Sequence, residues 1–143
     1  MEELNGTTVM VHPDLTTDPV KMQGHLGTII HVLYEDCSAY VRFKNQMIGL
    51  YGTDALLMLV PPEIVEDRLR IDMPEIRLNA SEISDIFNIY ELHWNSTPEE
   101  REEALNWAMG NDRIAQAIVF SVNDWIEYQI DRLDRQQQPG RGT

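Results

Sequence analysis

The chain has 143 residues, 43% of them hydrophobic, with 24 acidic against 11 basic side chains and a net charge of −13. That length and apolar content suit one ordinary domain, or two very small ones, with a packed core, and they argue against disorder. The acidic excess repels phosphates, which excludes random nucleic acid and anionic membranes as expected partners and leaves solubility or a basic protein partner as its use.

The acid is unevenly placed. Residues 1–62 hold Lys21, Arg42 and Lys44 against seven acids, a balance of −4, and residues 63–143 hold eight arginines against seventeen acids, a balance of −9. The single cysteine, Cys37, allows no intramolecular disulfide, and nothing points to an oxidising compartment. Met1 to Gly6 lacks the basic and apolar regions of a signal peptide, and the longest apolar run, Ala55 to Pro62, is too short to span a bilayer. A cytoplasmic location is the expectation.

The first sixty residues read as short strands. Thr7 to His12 is the first, with Val9 and Val11 on one face and Met10 and His12 on the other. A polar loop through Thr16-Thr17-Asp18-Pro19 follows. Thr28 to Tyr34 is the second strand and Glu35-Asp36 a turn. Ala39 to Phe43 is the third, with Ala39, Val41 and Phe43 inward and Tyr40 and Arg42 outward. Met47 to Tyr51 and Leu56 to Val60 complete the set, and Pro61-Pro62 ends it because proline cannot donate to a ladder. Short strands after one long loop predict a small closed barrel over residues 1–62.

The stretch Gln23-Gly24-His25-Leu26-Gly27-Thr28-Ile29 resembles the glycine-spaced opening of KOW-type and related SH3-like barrels. Val41-Arg42-Phe43 and Gly49-Leu50-Tyr51-Gly52 fall where such barrels carry their third and fourth strands. Gly24 and Gly27 would permit backbone conformations or strand approaches that a side chain blocks. The resemblance covers roughly the first 60 residues and implies a five-stranded SH3-like barrel. Barrels of this kind bind nucleic acid, ribosomes or peptides, and this one lacks the basic loops of the nucleic-acid binders.

Residues 63–78 form a connector, with a short helix near Glu63 to Leu69 and a break at Asp72-Met73-Pro74. Residues 79–135 predict about three helices, making the chain α+β. Asn79 or Ser81 caps the first, whose stripe is Ile83, Ile86, Phe87, Tyr90 and Trp94. Thr97-Pro98-Glu99-Glu100 starts the second with a capping box, and Gly110 ends it. Asn111 or Asp112 caps a long third helix to about Arg135, with Ile114, Ile118, Val122, Trp125, Ile126, Ile130 and Leu133 on its apolar face. The tail 136–143 is expected to be disordered.

No constellation of catalytic residues appears. Phosphate-loop, dinucleotide-binding and GxSxG patterns are missing, and Cys37 lies beside acids that discourage a thiolate. His12, His25, His31 and His93 have no metal-ligand spacing, and the run Glu99, Glu100, Glu102 and Glu103 reads as a solvated helix start. Neither cofactor nor metal is expected. Tyr34, Tyr40 and Tyr51 are candidate binding residues, since aromatics near the first loop of such barrels can line a peptide groove, although ordinary strand packing also explains them.

Two helices carry more apolar residues than one stripe holds. The last spreads its apolar set over roughly 160°, with Phe120 on the polar side, and the first has Ile89 and Leu92 beyond its stripe. A homodimer through the C-terminal helices, with Ile89, Leu92 and Phe120 at its interface, is the expectation; the connector 63–78 folding over these faces within one chain is the alternative. The expected function is a non-enzymatic protein–protein interaction module, with a nucleic-acid- or ribosome-associated KOW-like module as the alternative. Charge separates the two, because the alternative needs a basic face.

Overall fold

The computed structural model describes residues 4–18, 20–72, 75–94 and 97–136. Strands β1 (Thr8–Val11), β2 (Leu26–Leu33), β3 (Ser38–Phe43), β4 (Ile48–Gly52) and β5 (Leu56–Leu59) come first in the chain. Helices α1 (Pro62–Asp67), α2 (Ala80–Trp94), α3 (Pro98–Met109) and α4 (Asp112–Ile118) follow; then a sixth strand, β6 (Val119–Ser121), and a last helix, α5 (Val122–Gln136). All six strands form one antiparallel sheet in the order β4-β3-β2-β1-β5-β6. The α+β class stands. Among the described residues the sheet is open and six-stranded where the sequence predicts a closed five-stranded barrel, and the α-helices number five, one of them in the connector, where the sequence predicts about three after it. The expected disorder of the tail falls almost wholly outside the described residues.

The third strand has the expected phase: Ala39, Val41 and Phe43 are buried, and Tyr40 and Arg42 between them are exposed. Gly27 meets the close approach foreseen for it, because a Cβ there would stand 2.6 Å from Val41 Cγ1 and 2.9 Å from the Arg42 carbonyl oxygen. Gly24 has φ +77°, a conformation that L side chains rarely adopt.

The first strand departs from a one-sided reading. Every residue of β1 is buried, because two cores meet on it. Val9 and Val11 join Ile29, Val41, Phe43, Leu56, Met58 and Trp125 on one side. Met10 joins Leu59, Ile86, Ile89, Leu105, Ile114 and Ile118 on the other. The period of two along β1 and β5 therefore feeds alternate side chains into opposite layers. Helix α5 closes the first core, and α2, α3 and α4 close the second.

The long last helix is corrected. The chain leaves helix at Val119, and Val119 and Phe120 pair with Leu59 and Met58 as β6. Helix then restarts under a second cap: Ser121 Oγ accepts from the Asp124 N–H at 3.0 Å, and Asp124 accepts from the Ser121 N–H at 3.2 Å. Two β-branched or aromatic residues beside the edge of β5 that β1 leaves open gain more from a ladder than from continuing a helix.

Caps hold α2 and α3 as the sequence implied. Asn79 and Glu82 bond reciprocally at 2.8 and 2.9 Å, and Thr97 and Glu100 form the expected capping box. Glu82 also accepts from Arg113 Nε at 2.7 Å, tying the start of α2 to α4. The segment after α1 is anchored by Arg68, which donates to the Ala117 carbonyl at 3.2 Å and lies 5.3 Å above the Phe120 ring.

Candidate functional site

Helix α2 turns its expected stripe partly outward. Glu82, Ile86 and Ile89 are its buried residues. Ile83, Phe87 and Trp94, spaced i, i+4 and i+11, lie within about 40° of one another on the adjoining arc, and they are exposed. Phe87 is 72% and Trp94 75% exposed, far beyond what large aromatics show in a covered face. Tyr90, on the same arc, is half-buried because its hydroxyl donates to the Val60 carbonyl. Asp85 and Glu91 lie on the same helix, and Glu99 and Glu103 open the next one.

His93, next to Trp94 in the chain, lies about 100° round the helix from it, toward the core. It lines a cavity of about 360 Å³ together with Leu4, Val60, Pro61, Arg101 and Trp125. Its Nδ1 is buried and has no hydrogen-bond partner among the described residues. Burial, helped by the Arg101 charge, holds its pKa below the ordinary value and keeps the ring neutral. Among the described residues no carboxylate or thiol lines this cavity, and no group of three or more His, Cys, Asp or Glu side chains could hold a metal ion.

The three candidate tyrosines do not form one surface. Tyr34 and Tyr40 are 44% and 37% exposed, but Tyr51 is buried. Its hydroxyl donates to Asp18, 3.0 Å from each carboxylate oxygen, and burial pushes its pKa well above the usual tyrosine value. Asp18 in turn accepts the backbone N–H groups of Val20, Lys21 and Met22. Tyr51 and Asp18 thus staple the long first loop to the sheet, and the expectation of Tyr51 as a binding residue is corrected.

The proposed dimer residues are corrected likewise. Ile89 is 0% exposed in the helical core, Phe120 is buried on β6 against Trp125, and Leu92 is half-buried. The apolar excess of α2 is real, but it surfaces at Ile83, Phe87 and Trp94. The free thiol of Cys37 is exposed at φ +51° in a turn. Among the described residues, no helix is long and apolar enough to cross a membrane. Compared with known protein families, curated proteins and solved structures, the chain matches none.

Proposed function

We propose that this chain is a non-enzymatic protein-interaction module that docks a basic partner on the outer face of α2, beside an SH3-like barrel built from β1 to β5. The observation that carries it is the stripe Ile83, Phe87 and Trp94, in which two aromatic rings are about three-quarters exposed on one helix. Contiguous exposed aromatics of this kind mark interaction sites, and aromatic anchors supply most of the binding energy in many interfaces. The net charge of −13, with Asp85 and Glu91 on α2 itself, favours a partner carrying lysine or arginine around an apolar centre. The barrel reading is supported by the long first loop, the tight later turns and the 3-10 turn Thr53–Ala55 before β5. A nucleic-acid role has less support, since β3 and β4 carry one basic residue, Arg42, and Lys44 in the turn between them already bridges Glu102 at 3.5 Å.

The test compares capture from native extract by the wild-type chain and by a Phe87→Ser, Trp94→Ser double variant. Direct binding to the recombinant captured protein follows. The reading expects a basic partner whose affinity falls at least tenfold in the double variant and weakens with salt. A partner bound equally by both chains overturns it.

A further inference from the structure

We propose that the free edge of β4 is a homodimer contact, in which two copies pair β4 against β4 antiparallel about a two-fold axis at Gly49. The inference is independent of the α2 face.

The backbone at this edge is set up for a strand. The Phe43 N–H donates to the Met47 carbonyl at 2.9 Å, and Val41 and Ala39 lie opposite Gly49 and Tyr51. Antiparallel alternation then turns the polar groups of Met47, Gly49 and Tyr51 toward β3 and leaves the N–H and C=O of Ile48 and Leu50 facing away from it. β4 ends the sheet, and among the described residues no strand pairs with that side. The other edge is β6, a strand of three residues that runs straight into α5. Short edges resist pairing, and long ones are usually guarded by charge or proline. Met47-Ile48-Gly49-Leu50-Tyr51 carries neither.

The side chains fit a second copy of the same strand. Ile48 and Leu50 are each 46% exposed on the outer face, with Tyr40 beside Leu50 in the ladder at 37%. With the axis at Gly49, Ile48 of one copy faces Leu50 of the other, and each pair can exchange both N–H···O bonds. No like charges meet within the strands. Beyond them, the same symmetry brings the β3–β4 turn of one copy, with Lys44, against the end of β4 in the other, with Asp54. Lys44 bridges Glu102 of its own chain at 3.5 Å, but its side chain is 74% exposed, so the ammonium can be shared with a second carboxylate. The Asp54 carboxylate lies at the end of β4, 2.7 Å from where a Cβ on Gly52 would stand. Each contact is therefore made twice with opposite charges, in the half of the chain that carries only −4 of the net charge.

Sedimentation equilibrium of the full chain over a wide concentration range tests this, alongside amide hydrogen exchange. The expected result is a monomer–dimer equilibrium in which the Ile48 and Leu50 amides gain protection as concentration rises. Leu50→Lys, on a 46% exposed side chain, should leave the circular dichroism unchanged, and the melting temperature too at dilutions where both chains are monomers, and abolish the dimer with that protection. Lys44→Glu and Asp54→Lys should each weaken the dimer several-fold, and together restore much of it. A monomer at every concentration overturns the proposal. So does a dimer that survives Leu50→Lys, or one in which the Ile48 and Leu50 amides exchange as freely as in the monomer.

Discussion

Phe120→Ala and Phe87→Ala change the same side chain at two sites with opposite surroundings. Phe120 is 7% exposed, packs its ring 6.3 Å from Trp125, and carries the Arg68 guanidinium 5.3 Å above its face. Truncating a buried phenylalanine costs about 3–5 kcal/mol, and the lost cation–π contact, about 0.5–1 kcal/mol, lies within that range. For a chain of this size, roughly 3–4 °C of melting temperature goes with each kcal/mol, so Phe120→Ala should melt about 9–20 °C below wild type. Phe87 is 72% exposed, and its truncation should stay within about 0.5 kcal/mol. Thermal and urea unfolding followed by circular dichroism measures both. If α4 and α5 were one helix, Phe120 would lie on a solvated face and both variants would be near neutral. A Phe120→Ala protein melting within about 2 °C of wild type therefore refutes the β6 assignment.

Gly27→Ala should cost about 1–3 kcal/mol, because the new methyl meets the Arg42 carbonyl at 2.9 Å as well as Val41, and backbone cannot move aside as a side-chain tip can. Tyr51→Phe strips the buried Asp18 of its hydroxyl donor; a loss of about 1–3 kcal/mol is expected, with faster amide exchange at Val20, Lys21 and Met22. Acid should destabilise the chain in two stages. His93, held below its ordinary 6.5 by burial, binds its proton more readily when unfolded, so stability falls as pH drops below that value. Glu82, held below 4.5 first by its hydrogen bond from Arg113, contributes stability above 4.5 that is lost as pH falls through its lowered value. In denaturant titrations across this range, His93→Leu should flatten the upper stage and Glu82→Gln the lower. A fragment of residues 1–62 should not fold alone, since Phe120, Val122 and Trp125 fill the core around Val9 and Val11; sharp, dispersed amide resonances from it would count against the shared-core account.

The strands were legible because their alternation is local. Val41 and Phe43 alternate with Tyr40 and Arg42, and one period fixes their faces. The starts of α2 and α3 were legible because caps are written in consecutive residues. Two things escaped for the same physical reason. An apolar excess on α2, with Ile89 and Leu92 beyond the stripe, does not say which part faces the core; that depends on where α3 and α4 pack, and Ile89 rather than Phe87 meets them. The helix break at Val119 depends on the unpaired edge of β5, some sixty residues earlier in the chain. A local signal was present in Ser121 and Asp124, a second capping pair inside an apparently continuous helix. Tyr51 was misassigned because its partner, Asp18, lies 33 residues away in a loop with no pattern of its own.

The open apolar surfaces on α2 and at the β4 edge differ in kind, and that difference constrains what each can take. On α2 the backbone is satisfied within the helix, so Ile83, Phe87 and Trp94 offer side-chain area alone, and any partner with complementary shape and charge can use it. On β4 the outward N–H and C=O groups demand an extended segment in register, and a helix could not meet them. The sheet order also keeps the two apart in role. β1 and β5 are covered by the helical layer through Met10 and Leu59, whereas β4 lies three strands from β1, beyond β2 and β3. Occupying the β4 edge therefore requires no repacking of the core that holds α2. A chain paired through its edge strand would then present two copies of the α2 stripe, and a partner with two matching sites would bind with higher avidity than either stripe provides alone.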